Sequence, residues 1–98
     1  MITRITNSQD VIAFAKQLVK EGVNFHPDEY FKNYINFETS EPTYTENEAE
    51  LRNSLMIQCF ATCEKNGLDI YDTMSEVTLK ETGLDKFIPL PSSTYTEV

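Results

Sequence analysis

Two cysteines, Cys59 and Cys63, stand four residues apart, and His26 is the only imidazole in the chain. On a helix, that spacing puts both thiols on one face. Two thiolates so placed can supply half of a zinc site, with His26 and a carboxylate left to complete it. A metal-dependent regulator or a small enzyme would follow. The same two residues also fall inside an apolar stripe, where a free cysteine behaves as a small hydrophobe. A CxxxC without a second cysteine pair is less specific than paired CxxC motifs. We assign Cys59 and Cys63 to the core and expect neither metal nor other cofactor.

The histidine belongs to a second cluster, His26-Pro27-Asp28. This triplet resembles the one that J-domain co-chaperones use to stimulate a chaperone ATPase. A J-domain sets it after a long, strongly basic helix. The segment preceding His26 carries only Lys16 and Lys20 as bases, and Gly22, Val23, Asn24 and Phe25 intervene. The resemblance covers three residues. Helix entry accounts for them without a chaperone: Pro27 suits a first turn, and Asp28 and Glu29 suit the positive end of the dipole. Tyr30, Phe31, Tyr34 and Ile35 would then form the apolar side of a short helix.

Other chemistry finds little footing. The three glycines, Gly22, Gly67 and Gly83, each follow a predicted helix rather than forming a phosphate loop. No serine sits in a nucleophile elbow. The formal net charge is −8, and Lys and Arg are scattered singly. Such a chain repels phosphate backbones, so we expect no direct nucleic-acid contact. A helix-turn-helix over the Gly67 turn is excluded because its reading helix would open with Asp69 and Asp72.

The most informative surface feature is acidic and aromatic. Glu38, Glu41, Glu46, Glu48 and Glu50 follow one another with no base until Arg52. Tyr30, Tyr34, Phe37 and Tyr44 lie in or beside this run. Aromatic anchors inside a polar rim are a usual interface composition. We expect a non-enzymatic protein-interaction module whose partner-binding surface lies within residues 30–50. The alternative is an acidic inhibitor that imitates nucleic acid to occupy a DNA- or RNA-binding enzyme.

These residues must be positioned by helices. Val11, Ile12, Ala15, Leu18 and Val19 recur on one helical face within residues 7–21, with Phe14 at its edge. Lys16, Gln17, Lys20 and Glu21 face away. Asn7 or Ser8 caps the start and Gly22 suits the stop. Thr45-Glu46-Asn47-Glu48 is a capping box, with Tyr44 and Ala49 placed as a hydrophobic staple. Behind it Leu51, Leu55, Cys59 and Cys63 run at i+4, flanked by Met56 and Phe60. Asn66-Gly67 closes that helix and Asp69 caps another, on which Ile70, Met74 and Val77 share a side. Between the first and central helices, residues 37–45 lose helical period and form a loop or a short β-hairpin.

We therefore expect one mainly α-helical domain of three to four helices over residues 1–98, with 89–98 a flexible tail. Ile57 and Leu79 point off the apolar faces and would support self-association unless Phe87 to Leu90 cover them. Thr96-Glu97-Val98 has the form of a PDZ ligand, although a frayed terminus is the simpler reading. The opening residues lack the apolar stretch of a signal peptide, and no run approaches the ~18 apolar residues of a membrane span. Two cysteines are too few for a disulfide framework. Together these features predict a cytoplasmic protein with no membrane contact.

Overall fold

The computed structural model describes residues 2–83; the expected tail, the Phe87 to Leu90 cover and the PDZ-like terminus lie outside the described residues. It contains three α-helices, α1 (Ser8–Lys20), α2 (Glu46–Lys65) and α3 (Ile70–Thr82), and a 3-10 turn at Phe31–Asn33. α1 packs against both α2 and α3, and most extensively against α3. The short α2–α3 connection keeps those two helices in contact. The mainly α-helical expectation is met.

Local chemistry fixes the helix ends. Asn7 caps α1, its Oδ1 accepting from the Asp10 amide at 2.9 Å. Thr45 and Glu48 form the reciprocal capping box of α2: the Glu48 amide donates to Thr45 Oγ1, and the Thr45 amide to Glu48 Oε1. Asp69 Oδ1 accepts from the Tyr71 and Asp72 amides at the start of α3. α1 and α2 stop in the same way. Gly22 and Gly67 adopt φ of 78° and 69°, and the next amide reaches back to the Leu18 or Cys63 carbonyl. Only a residue without a Cβ takes that conformation freely, so each glycine turns the chain sharply at a fixed position.

The core forms where the three helices meet. α1 contributes Val11, Phe14, Ala15 and Leu18, all fully buried. Phe14, expected at the edge of the stripe, lies at its centre because the Phe31 ring packs on it at 6.2 Å. α2 buries Ala49, Leu55, Met56, Cys59 and Cys63, and α3 buries Ile70, Met74 and Val77. The N-terminal extension is pinned by α2, with Gln58 Oε1 accepting from the Ile5 amide at 2.9 Å.

Residues 22–45 depart from the expectation once. No α-helix starts at Pro27. The Glu29 amide donates to the His26 carbonyl at 3.0 Å and the Asp28 amide to His26 Nδ1 at 3.1 Å. These bonds close a turn that competes with helix. Tyr30 is extended, at ψ 138°, and the Phe31 amide goes to Asn53 Oδ1 of α2 at 2.9 Å, so only the single 3-10 turn follows. Of the two forms expected for residues 37–45, loop and short hairpin, the loop is the one found. Among the described residues there is no strand, only one antiparallel bridge between Ile35 and Pro42. Pro42 has no amide to extend a ladder.

The capping box is the most local of these devices. Thr45→Ala should cost about 1 kcal/mol and lower the melting temperature by roughly 4–8 °C. Thermal denaturation followed by circular dichroism reads the loss; an unchanged midpoint would show that tertiary packing alone sets the start of α2.

Candidate functional site

A charged cluster between the helices fastens both ends of residues 22–45. Arg52 of α2 donates from Nη2 to Glu21 Oε2 at 2.6 Å and from Nε to Glu21 Oε1 at 3.1 Å. Tyr44 donates its hydroxyl to Glu21 Oε1 at 2.6 Å, and the guanidinium carbon lies 4.3 Å from the centre of the Tyr44 ring. Arg52 Nη1 reaches the Glu48 carbonyl at 3.1 Å, and Gln17 Nε2 adds a bond to Glu21 Oε2 at 3.0 Å. The Arg52 side chain is only 6% accessible and that of Glu21 24%. Glu21, expected to face away, therefore turns inward.

Electrostatics follow from this geometry. Burial by itself would raise the Glu21 carboxyl, but hydrogen bonds from Arg52, Tyr44 and Gln17 outweigh it and hold the group below its ordinary value of 4.5. Burial and the adjacent carboxylate push the Tyr44 phenol well upward. Arg52 stays charged; burial opposes its proton, and the bonds to Glu21 more than compensate. Both carboxylate oxygens of Glu21 are engaged by protein, so this cluster is a fastening and not a vacant binding site.

The fastening carries a tight loop. Asn36 Oδ1 accepts from the Glu38 and Thr39 amides at 2.8 and 3.3 Å. The Asn36 amide donates to the Glu41 carbonyl at 2.8 Å, the Ser40 amide to the Asn36 carbonyl at 2.7 Å, and the Thr43 amide to the Tyr34 carbonyl at 2.9 Å. Ser40 takes a left-handed φ of 64° to complete the turn. At the tip, Phe37 is 92% exposed. A phenyl ring so exposed on a loop so thoroughly bonded stands in water by construction. Beside it opens a concavity of about 1100 Å³ lined by Glu21, Glu29, Tyr34, Ile35, Phe37 and Glu38 among others.

The structure divides the nine residues proposed from sequence. Tyr34, Phe37 and Glu38 meet at this groove, and Glu41 lies on the same loop. Tyr34 is half-buried, its hydroxyl accepting from the His26 amide at 2.8 Å. Tyr44 is not a surface anchor: it is buried against Phe31, ring centres 5.9 Å apart. Tyr30, 63% exposed, lines a different depression against α2. Glu46, Glu48 and Glu50 are exposed on the first turns of α2, Glu48 being committed to the cap. Glu21, Glu29 and Arg52 were not singled out. Register offered the signal for two of them: Glu21 follows Leu18 by three residues, and Arg52 precedes Leu55 by three and Met56 by four. Opposite charges on two buried faces point to a pair.

The weak metal candidates are not assembled. Cys59 and Cys63 are buried free thiols, and burial pushes the Cys59 thiol up to about 12. His26 holds its turn, with its ring 6.0 Å from that of Tyr71. Among the described residues no three His, Cys, Asp or Glu side chains come together as metal ligands, and no helix is long and apolar enough to cross a membrane. No family model, curated protein or solved structure matches the chain.

The cluster makes stability depend on pH with a definite sign. A carboxyl held below its unfolded value stabilises the fold above that value and loses the effect as pH falls through the folded one. Glu21→Gln should therefore lower stability by about 2 kcal/mol near neutral pH, where a charged acceptor is lost. The gap to wild type should close as pH falls below 4.5. Urea midpoints across pH give the answer; a gap that persists unchanged into acid would show that Glu21 acts through packing.

Proposed function

We propose that this protein is a non-enzymatic interaction module of the cytoplasm, and that its groove beside Phe37 binds a basic peptide segment of another protein. The observation that carries the reading is the near-complete exposure of Phe37 on a loop pinned by Asn36 and by the Ile35–Pro42 bridge. Exposing an aromatic ring costs solvation free energy, roughly that of leaving a large apolar side chain unburied. A floppy loop could hide the ring by folding over; this one is held open. Pre-ordering reduces the entropy lost on binding.

Glu29 and Glu38 add negative charge to the groove, and Ile35 and Phe37 supply apolar surface. Carboxylates of this kind steer and orient a basic partner, while one or two rings provide most of the affinity. The fitting ligand is a segment with Lys or Arg on either side of an aliphatic or aromatic residue. Imitation of nucleic acid would instead distribute binding over many carboxylates and make it fall steeply with salt.

Panning a random peptide display library against the full chain tests this directly. Enriched peptides should carry Lys or Arg flanking an apolar residue. Phe37→Ser should weaken the best of them by about tenfold or more without moving the melting temperature. Enrichment that ignores charge, or binding indifferent to Phe37→Ser, would contradict the proposal. Affinity that collapses with salt yet ignores Phe37 would favour the nucleic-acid mimic.

A further inference from the structure

A second surface lies along the outward side of α2 and meets the Phe37 groove only at Glu29. Ile57 is 68% exposed, Tyr30 63%, Leu68 42% and Tyr71 37%. Two shallow grooves join these residues and share Phe60 as a common wall. One, of about 210 Å³, runs between the turn at Pro27 and α2, bounded by Tyr30, Met56 and Ile57. The other, of about 320 Å³, runs on past Phe60 to Leu68 and Tyr71 at the α2–α3 junction. The two form a single apolar strip.

The strip is built, not incidental. Phe60 and Tyr71 stack edge-to-face at 6.1 Å and 78°. Tyr71 donates its hydroxyl to Asp28 Oδ1 at 2.7 Å, which ties α3 to the turn that carries Tyr30. The walls of both grooves are thus fixed to one another before anything binds. Isolated exposed apolar residues need no explanation, but a contiguous strip along one helix face marks an interaction surface.

Charge and backbone chemistry select the occupant. Asp28 and Glu29 line the first groove and Glu64 and Asp69 the second, and among the described residues neither groove is lined by Lys or Arg. A second copy of this chain would bring the same four acids and a further net charge of −8 against them. Like charges across an interface cost several kcal/mol, roughly, so self-pairing is opposed. The wall provided by α2 is a helix whose backbone groups already bond within the helix. An extended strand laid there would find no amide ladder, whereas a helix arrives with its own backbone satisfied. From Asn53 to Glu64, α2 rises about 16 Å, or roughly three turns.

We infer that the Tyr30–Ile57–Phe60–Tyr71–Leu68 strip is a docking site for a basic amphipathic helix of another protein. Its apolar face seats in the two grooves, and its Lys or Arg flanks pair with Asp28, Glu29, Glu64 and Asp69. The strip meets the Phe37 groove at Glu29, which lines both, but its apolar residues are its own.

The probe is a labelled Leu/Lys amphipathic helical peptide of about fourteen residues, with a permuted peptide of identical composition lacking an apolar face. Fluorescence anisotropy on the full chain at physiological salt should show the amphipathic peptide binding about tenfold or more tighter than its permutation. Ile57→Ser and Tyr30→Ser, both at exposed positions, should each weaken it several-fold and together by about tenfold. Phe37→Ser should leave it unchanged. Far-UV circular dichroism checks that each variant is folded, and backbone NMR shifts on titration should concentrate at Ile57, Phe60 and Tyr71 whatever the variants do. Equal binding of the two peptides would reduce the effect to nonspecific charge attraction and overturn the inference. So would a dimer dissolved by Ile57→Ser, or nuclear Overhauser contacts from Phe87 or Ile88 to Ile57 in the free chain. Those outcomes would name a second copy, or the chain's own terminus, as the occupant.

Discussion

The ion pair between Glu21 and Arg52, closed over by Tyr44, is the constraint on which the rest of the structure depends. Glu21 ends α1, Arg52 lies in the second turn of α2, and Tyr44 directly precedes the Thr45 cap. One 2.6 Å hydrogen bond from Tyr44 to Glu21 thus joins the two ends of residues 22–45. Loop closure costs entropy whatever the loop does afterwards. Meeting that cost at a part-buried, charge-assisted contact leaves the intervening residues free to satisfy local demands. A buried ion pair is weak evidence of net stability, because desolvation offsets its attraction, but it is strict about register. Displacing either helix by one residue would strand the Arg52 cation beneath the Tyr44 ring.

Inside the clamp, Phe31 organises what remains. Its fully buried ring meets Phe14 of α1, Tyr34 of its own turn and Tyr44 of the clamp at 6.2, 5.5 and 5.9 Å. Aromatic pairs at these separations are each worth about 0.5–1.5 kcal/mol beyond their burial. Phe31 and Tyr44 are consumed as core in this way, together with Phe25. The remaining rings differ in kind. Tyr34 spans core and groove, whereas Tyr30 and Phe37 are exposed and line different grooves.

The helices were legible because their signals are local. The Thr45–Glu48 box, the Asn7 and Asp69 caps and the glycine after each helix specify ends within a few residues. Periodicity then gives the buried faces. Arg52 and Glu21 escaped because charged residues are assigned to solvent by default, although both sit in register with buried neighbours. The His26–Asp28 turn was read as helix entry, since proline and acids favour both, and only the His26 Nδ1 contact decides between them. That Phe37 turns out was not legible, and only its staple position before the Thr45 cap marked Tyr44 for burial. Both are aromatics in one irregular segment, and their fates depend on where Phe31 and Arg52 stand in three dimensions.

The clamp holds residues 22–45 as one ordered unit. Local protection from hydrogen exchange reports that directly. The amides of Phe31, Asn36, Ser40 and Thr43 all donate hydrogen bonds in the folded chain. They should be protected in wild type, and Arg52→Met should reduce their protection by about tenfold or more while α3 amides change far less. Amides in this segment that exchange at the rate of an open chain in wild type would contradict the account. So would a loss of protection in Arg52→Met spread evenly over all three helices.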